Sequence, residues 1–422
     1  MDRRAFLSVG GGALTLAVAG GAAGPQRISA PERPPSAEGI EARVAAALQA
    51  YDAQGNHRTG TEVDAASAEW LAGRARAAGV RPSLELFRLS RVAPRSCYVR
   101  VGDRRADGVP VFDAGFTGVG GVRGTLGRLG SGSDIGVAET TPFNLAEPGA
   151  ERRGQFAEAQ RSRHGAVVLL TGGSRPGLFL INASSFLAPV GPPMLQVSSA
   201  EGEWLKEAAG RGADATVEVY ADRVPARAFN VTARVAGRNP SLAPVVLMAP
   251  RSAWWQSVSE QGSRLVCWLE AMRALAAGGP ARDCLFVAPS GHELGFLGIQ
   301  EYLRRRPGLP RRAHAWVFFG SSIGEPGQPN QLYASDDALE RSFLASMARE
   351  GLGVDTRMPR TSTARGEAGV IQQAGGRVVT IACGSDVYHN AADRWPEAVD
   401  VSLLARYARA FADGALELAR QG

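Results

Sequence analysis

The second half of this 422-residue chain alternates between short apolar runs and amphipathic helices, and this alternation constrains the fold more than any other feature. The runs at residues 245–249, Cys284–Ala288, Ala315–Phe319 and Val378–Cys383 predict buried strands, and apolar residues at helical spacing follow the first of them at 265–275. Strands that alternate with helices form parallel sheets covered on both faces. We therefore predict an α/β fold with a mainly parallel central sheet flanked by helices, which binds ligands at the loops that follow its strands.

The charge of the chain does not indicate a nucleic-acid partner. The formal net charge is +6, but the arginines are scattered among acidic residues. A phosphate-binding face needs its basic residues gathered in a patch or stripe. The short basic runs at 304–306 and 311–312 flank prolines and are typical of solvated loops. We expect no nucleic acid among the partners of this chain.

The first 30 residues have the features of an export signal followed by a linker. Arg3 and Arg4 precede an uncharged stretch, residues 8–24, that is rich in Ala, Gly, Leu and Val. The run Arg3-Arg4-x-Phe6-Leu7 resembles the twin-arginine type of signal. No later stretch reaches the roughly 18 uncharged apolar residues of a membrane helix. We predict an exported protein, periplasmic or extracellular, with no stable membrane anchor after signal cleavage.

The character of the chain changes between residues 102 and 227. Short apolar runs there alternate with glycine clusters, as at 115–124 and 130–136, which favours a small β-rich unit. We predict that residues 31–101 and 228–422 form the α/β domain and that residues 102–227 form an inserted β-rich domain.

Three separated motifs carry a resemblance to a known family. They are His-Arg-Thr-Gly-Thr at 57–61, Phe-Val-Ala-Pro-Ser-Gly-His-Glu-Leu-Gly-Phe-Leu-Gly at 286–298 and Tyr-His-Asn-Ala-Ala-Asp at 388–393. In this order they resemble the zinc aminopeptidase family, which also includes glutaminyl cyclases and transferrin-receptor-like proteins. The resemblance covers roughly residues 38–97 and 228–420. It implies a metallopeptidase-like α/β fold, and it implies that the insertion is a degraded protease-associated domain.

The resemblance also implies a site for two metal ions, and this chain lacks part of that site. Active members of the family have His-x-Asp after the first strand of this half, where this chain has Pro250-Arg251-Ser252. A metal-binding Asp follows a later strand in the family, where this chain has Gly320 and Ser321. Proline, serine and glycine side chains cannot replace an imidazole and carboxylates as zinc ligands. We therefore expect no two-metal mechanism, in which paired ions clamp the attacking and leaving oxygens.

The ligands that the resemblance assigns to the other metal have equivalents in this chain, with a Glu in place of the family's bridging Asp. They correspond to Glu260, Glu293 and His389, and two carboxylates with one imidazole could hold a single zinc ion. His292 takes the place of the family's general base, and an imidazole with a pKa of about 6.5 could accept a proton at neutral pH. The alternative is that the base has been lost and that His292 only forms hydrogen bonds in its loop. Glu367 is expected to replace an acidic group that supports the site.

A serine-hydrolase alternative rests on a second pattern. Gly320-x-Ser322-x-Gly324 after an apolar strand matches a nucleophile elbow, which would pair Ser322 with His389. The elbow must lead into a helix, however, and the prolines that follow at 326 and 329 break one.

Two functional hypotheses follow. The first is a pseudoenzyme with a degenerate metal centre. It would be a binding or interaction protein that holds a peptide or protein ligand in the cleft corresponding to the family's active site. The second is a mononuclear zinc hydrolase or aminoacyl cyclase that acts on peptide N-termini or amides, with zinc as its only cofactor. In the second hypothesis Glu260, Glu293 and His389 hold the metal and His292 is the catalytic base.

Overall fold

The computed structural model describes residues 39–141 and 150–421, which contain ten helices and fourteen strands. The helices are α1 (Ile40–Asp52), α2 (Glu62–Ala77), α3 (Ala150–Arg161), α4 (Gly202–Gly210), α5 (Ser263–Gly278), α6 (Leu297–Arg304), α7 (Leu309–Arg312), α8 (Asp337–Arg349), α9 (Glu367–Gln373) and α10 (Val401–Arg420). The strands are β1 (Pro82–Val101), β2 (Arg104–Asp107), β3 (Val109–Pro110), β4 (Val122–Arg128), β5 (Ile135–Thr140), β6 (Ala166–Thr171), β7 (Met194–Ser198), β8 (Asp214–Val235), β9 (Val245–Met248), β10 (Cys284–Ala288), β11 (Ala315–Phe319), β12 (Asn330–Ala334), β13 (Thr356–Arg357) and β14 (Val378–Cys383). The predicted export signal lies outside the described residues. Among the helices that are described, none is long and apolar enough to cross a membrane.

The four strands predicted from the apolar runs form the parallel centre of the sheet. Their order is β14-β11-β9-β10, and each pair is parallel. Antiparallel strands flank this centre, with β12 beside β14 and β8 beside β10. Within residues 102–227, strands β4 to β7 are parallel to one another, and β3 is antiparallel to β7. The α/β prediction is confirmed, whereas the expectation of a mainly parallel sheet is only partly right.

A long antiparallel ribbon accounts for much of the difference. Strands β1 and β8 have 20 and 22 residues and pair from Pro82 with Ala233 to Arg100 with Thr216. The chain leaves the α/β half along β1 and returns along β8, so the two strands run in opposite directions. Strand β8 passes through residue 227 without interruption. The division into a main domain and a protease-associated-like insertion stays a prediction.

Alternate residues of the central strands pack against helices on opposite faces of the sheet. Leu247 of β9 belongs to the apolar cluster that includes residues of α1, α5 and α10, whereas Met248 belongs to the cluster with α6 and α9. Phe286 of β10 is fully buried and packs edge-to-face on Trp268 of α5 at 5.4 Å between ring centroids. Burial of one such phenylalanine stabilises the fold by about 1.5–3 kcal/mol. This layered core fixes the loops that leave β9, β10, β11 and β14.

Candidate metal centre

Three buried side chains from different parts of the chain converge beside the central sheet. Glu260, His292 and His389 each offer a ligand atom, and these atoms lie within 4.8 Å of one another. The Nε2 atoms of His292 and His389 lie 3.6 and 3.4 Å from the same oxygen, Oε1 of Glu260. Glu260 lies in the turn before α5, His292 follows β10 and His389 follows β14. The fold thus brings together three of the predicted site residues.

The hydrogen bonds of the two imidazoles leave one nitrogen of each ring open. Nδ1 of His292 lies 2.9 Å from Oε1 of Glu367, and Nδ1 of His389 lies 2.6 Å from the carbonyl oxygen of Leu180. Both Nε2 atoms are buried and have no hydrogen-bond partner. A carboxylate or carbonyl on one ring nitrogen and a free second nitrogen is the usual arrangement of a metal-ligating histidine.

The spacing of these atoms also suits zinc. Ligand atoms at about 2.0–2.1 Å from a tetrahedral zinc ion lie about 3.3 Å from one another. The distances of 3.4 and 3.6 Å from the histidine nitrogens to the Glu260 oxygen are close to this value. With all three ligand atoms within 4.8 Å of one another, the residues are suited to holding a single metal ion such as zinc.

The electrostatics of the cluster favour a charged carboxylate. Burial opposes the ionised form of Glu260, but His389, followed by His292 and Arg264, outweighs this effect and lowers the pKa of the carboxyl to about 2. Burial also tends to lower the pKa of His292, but the charge and hydrogen bond of Glu367 outweigh it and raise that pKa. Glu260 is thus ionised at neutral pH in a buried position, where a carboxylate needs a cation close by.

Unusual backbone geometry holds two of the three side chains. Glu260 lies in a single π-helical turn, Val258–Gly262, and Asp393 accepts hydrogen bonds from the backbone nitrogens of Ser259 and Glu260 at 2.6 and 3.0 Å. His389 has a φ of 60°, in the left-handed region. π-helical turns and left-handed residues are costly and persist only where the surrounding structure holds them. They recur at functional sites.

Glu293, the predicted third ligand, is engaged elsewhere. Its Oε1 accepts a hydrogen bond from the backbone nitrogen of Thr59 at 2.7 Å, and its Oε2 accepts one from Oγ of Ser252 at 2.7 Å. Burial raises the pKa of this carboxyl. Its oxygens are not part of the three-residue group. The ligand role of Glu293 and the base role of His292 therefore stay predictions. The structure places His292, and not Glu293, in the cluster with Glu260 and His389.

The loop that replaces His-x-Asp contains a buried ion pair. Nη1 of Arg251 lies 2.9 Å from Oδ1 of Asp64, and both side chains are fully buried. Nε and Nη2 of Arg251 also donate to the carbonyl oxygen of Phe229. The guanidinium of this loop is therefore committed to Asp64 and Phe229, and it cannot bind a metal cation.

The serine-hydrolase alternative receives no support from the geometry. Ser322 has a φ of 59° and follows β11, as an elbow serine would. Its Oγ is buried without a hydrogen-bond partner, so it is not bonded to His389. His389 uses Nδ1 for Leu180, and its Nε2 points to Glu260.

A cavity of about 560 Å³ adjoins the cluster. Its floor is formed by alternate residues of three neighbouring strands, β11, β14 and β12, and His292 and His389 lie in its wall. The floor residues are Phe318, Gly320, Gln331, Tyr333, Thr380 and Ala382. This volume falls within the range of about 300–1,000 Å³ that is common for small-molecule sites.

Residues 102–227 contribute a wall of this site, which no sequence motif indicated. Besides its contact with the His389 imidazole, Leu180 donates its backbone nitrogen to the carbonyl oxygen of His389 at 3.2 Å. The backbone nitrogen of Ala183 donates to the carbonyl oxygen of Glu293 at 2.8 Å, and Nε1 of Trp254 donates to Oδ1 of Asn182. Segment 180–183 therefore orients the loops that carry the histidine and the glutamate.

Solved aminopeptidase structures match this architecture over most of the chain. A zinc aminopeptidase from Bacillus subtilis aligns with a TM-score of 0.72 at 16% identity, covering 90% of this chain and 95% of its own. The chain has the zinc aminopeptidase fold. A peptidase M28 precursor from Shewanella amazonensis shares this aminopeptidase fold, with a TM-score of 0.70, 16% identity and coverages of 90% and 96%.

A third structure agrees with these two. The aminopeptidase from Aneurinibacillus sp. strain AM-1 aligns with a TM-score of 0.65 at 14% identity, covering 90% of this chain and 94% of its own. No family model and no curated protein matches the sequence. At these identities the likeness establishes the aminopeptidase fold, and the chemistry must be argued from the side chains of this chain.

Proposed function

We propose that this chain is a one-metal relative of the zinc aminopeptidases, without two-metal peptidase activity, that binds a small ligand in its cavity beside a mononuclear zinc centre. Glu260, His292 and His389 would hold the ion. The observation that carries the proposal is the convergence of two unpartnered imidazole nitrogens on one buried carboxylate oxygen. When bound, a zinc ion supplies Lewis acidity and a positive charge next to the cavity.

The choice of His292 as the third ligand follows from the contacts of its neighbours. Glu367 occupies Nδ1 of His292, so Nε2 is the atom that remains for a metal. Glu293 already accepts hydrogen bonds on both of its oxygens. Its oxygens are not part of the three-residue group, so Glu293 would have to move in order to reach an ion held there.

The same contacts favour ligand binding over peptidase activity. A histidine that ligates the metal through Nε2 and donates Nδ1–H to a carboxylate has no lone pair left to accept a proton. The oxygens of Glu293 bond to Thr59 and Ser252 outside the three-residue group, so this carboxylate does not take the place of a base at the ion. The position of the family's base is therefore used for holding the ion.

A mononuclear zinc hydrolase or aminoacyl cyclase is the second candidate. Three protein ligands leave a fourth coordination position open, as catalytic zinc sites do. His292 and His389 line the cavity, so a bound amide would lie next to that position. Slow, zinc-dependent cleavage or cyclisation of an amide would support this second candidate.

Metal content and turnover test the proposal together. The purified full chain is expected to hold about one zinc ion by mass spectrometry of dissolved metal, and Glu260→Gln is expected to lose it. His314→Gln is the matched control, because His314 bonds to Gln421 away from the cluster. Aminoacyl p-nitroanilides should not be turned over. Two tightly held ions, or rapid aminopeptidase turnover, would contradict the proposal.

Export is the remaining part of the proposal. The twin-arginine-like start, Arg3-Arg4-x-Phe6-Leu7, supports export of the folded chain, which would allow the metal to be loaded first. Replacing Arg3 and Arg4 by lysine should retain the protein inside the cell, as judged by fractionation. Unchanged export of the double variant would contradict a twin-arginine route.

A further inference from the structure

The cavity contains buried polar atoms without partners beyond the two histidines. They are Nη1 of Arg264, Oε1 of Gln331 and Oγ1 of Thr380. A buried polar group without a partner costs about 1–3 kcal/mol, and a charged one costs more. Native proteins rarely tolerate several such atoms at one place unless a ligand or water satisfies them. A polar ligand in the cavity could therefore form hydrogen bonds with these side chains as well as bind the metal.

Arg264 is the charged member of this set, and the fold places it beside the metal centre. Its side chain is 1% exposed. Nε donates to the carbonyl oxygen of Glu260 at 2.8 Å, and the guanidinium carbon lies 5.6 Å from the ring centroid of Phe318 on the cavity floor. These contacts fix the guanidinium with its open Nη1 next to the metal ligands. Binding of a ligand at Nη1 therefore costs little further side-chain entropy.

The charge of the site favours an anionic ligand. Two guanidinium groups (Arg264 and Arg365) line the cavity, and two carboxylates (Glu260 and Glu367) bond to or face the imidazoles. With a divalent ion bound and both imidazoles neutral, these groups leave a formal charge of +2. This step rests on the proposed function, because the ion supplies the surplus charge. Such a cavity attracts a carboxylate and repels the ammonium group of a peptide N-terminus.

We propose that the cavity binds a small carboxylate that carries an acylated amine and an apolar body, such as an N-acyl amino acid, and that Arg264 recognises the carboxylate. A planar guanidinium pairs with a carboxylate through short, charge-assisted hydrogen bonds. Phe156, Phe296 and Met358 offer an apolar wall for the body. In this orientation the carboxylate end of the ligand binds at Arg264, and no free amine faces the metal.

The floor provides partners for the amide of such a ligand. Gln331 and Thr380 lie on neighbouring strands, since Gln331 pairs with Ala382 and Thr380 with Tyr333. The open Oε1 of Gln331 can accept from an amide N–H, and the hydroxyl of Thr380 can donate to an acyl oxygen. A ligand with a carboxylate and one amide would therefore satisfy the open atoms that an amine would leave unpaired.

Three closely related probes test this orientation on the zinc-loaded full chain. Calorimetry compares N-acetyl-L-phenylalanine, its neutral primary amide and L-phenylalanine amide, which carries a free amine. The carboxylate should bind about tenfold or more tighter than the neutral amide, as expected for a hydrogen bond to a charged group. The amine should bind weakest. Equal binding of carboxylate and amide, no binding of the carboxylate, or tightest binding of the amine would overturn the proposal.

Variants assign the preference to Arg264. Arg264→Met should abolish the difference between carboxylate and amide, and Arg264→Lys should retain part of it. Arg304→Met is the control, since this arginine is exposed on α6 and pairs with Glu301. A variant Arg264→Met that keeps the preference would overturn the assignment. The ratio measured with the unaltered chain tests the carboxylate preference even if Arg264→Met does not fold.

Zinc content, measured on each sample, separates this inference from the proposed function. A chain that holds one zinc ion but shows no carboxylate preference overturns only the orientation proposed here. A chain that holds no zinc but still prefers the carboxylate overturns the metal centre and retains the role of Arg264. Thr380→Val, which preserves volume away from the metal ligands, should weaken binding of the acylated probe several-fold while zinc content stays unchanged.

Discussion

Nδ1 of His292 and Oε1 of Glu367 are joined by a hydrogen bond of 2.9 Å between two buried side chains that lie 75 residues apart in the sequence. The carboxylate fixes the orientation of the ring and directs Nε2 towards Glu260. A held Nδ1 and an open Nε2 suit a metal ligand and a general base alike, and what favours the ligand role is that Nε2 converges with His389 on the same oxygen of Glu260.

The first prediction concerns the identity of the third ligand. His292→Ala should abolish zinc binding, whereas Glu293→Gln should retain about one zinc ion, since Glu293 is not part of the three-residue group and the amide oxygen can still accept from Thr59. Metal analysis after dialysis against a weak chelator measures both. Loss of zinc in Glu293→Gln with retention in His292→Ala would instead restore the ligand set expected from the sequence motifs.

The second prediction concerns the support of that ligand. Glu367→Gln removes the charge behind His292 and should lower zinc affinity by about 10–100-fold while the fold is retained. Competition with a zinc-binding dye measures the affinity, and circular dichroism monitors the fold. Glu301→Gln, on the partly exposed Glu301 of α6, is the matched control and should leave zinc affinity unchanged. An unchanged affinity in Glu367→Gln would show that the contact plays no part in metal binding.

The third prediction concerns the buried ion pair between Arg251 and Asp64. Arg251→Met leaves the carboxylate of Asp64 buried without its partner, which should cost about 3–5 kcal/mol of unfolding free energy. Arg95→Met breaks a pair with Asp222 in which both partners are well exposed, and should cost less than about 1 kcal/mol. Urea unfolding followed by tryptophan fluorescence compares the two variants. Similar losses for both would contradict the structural role assigned to Arg251.

The fourth prediction is a pH dependence of stability that originates at His57. This residue stacks on Tyr51 with ring centroids 3.8 Å apart, and burial lowers its pKa to about 3. Between about pH 6.5 and pH 3, His57 is protonated in the unfolded chain but stays neutral in the native protein. The stability is therefore complete above pH 6.5 and falls as the pH is lowered, by up to about 1.4 kcal/mol per pH unit.

His57→Gln removes this titration. Between pH 6.5 and 5.0 the unaltered chain should lose about 1.6 kcal/mol more unfolding free energy than the variant, as measured by urea unfolding at each pH. Parallel pH profiles for the two proteins would assign the acid sensitivity to other groups.

Several features of the site could be read from local sequence patterns. The apolar runs located the four central strands, and the motifs placed Glu260, His292 and His389 on loops near them. Glu367 was expected to support the site, and it contacts His292. The prediction that the ligands of a second metal are missing also comes from the resemblance and from residue identity, because proline and glycine have no donor atom in their side chains.

Other features depended on contacts between distant segments. No pattern marked Arg264, which sits among the apolar residues of α5, or Leu180, whose carbonyl oxygen holds His389. The antiparallel ribbon of β1 and β8 was also missed, because strand direction depends on where the chain returns and not on the apolar period of either strand.

The sequence by itself therefore determined the layered α/β architecture, and its resemblance to the zinc aminopeptidases predicts the loss of one half of a two-metal site. It predicted Glu293 as a metal ligand and His292 as the base, and both roles stay predictions. The positions of the two side chains depend on hydrogen bonds, one from Thr59 to Glu293 and one between His292 and Glu367. Periodicity and motif spacing report local backbone states, whereas distances of a few ångströms between side chains on separate loops are set only when the whole core packs.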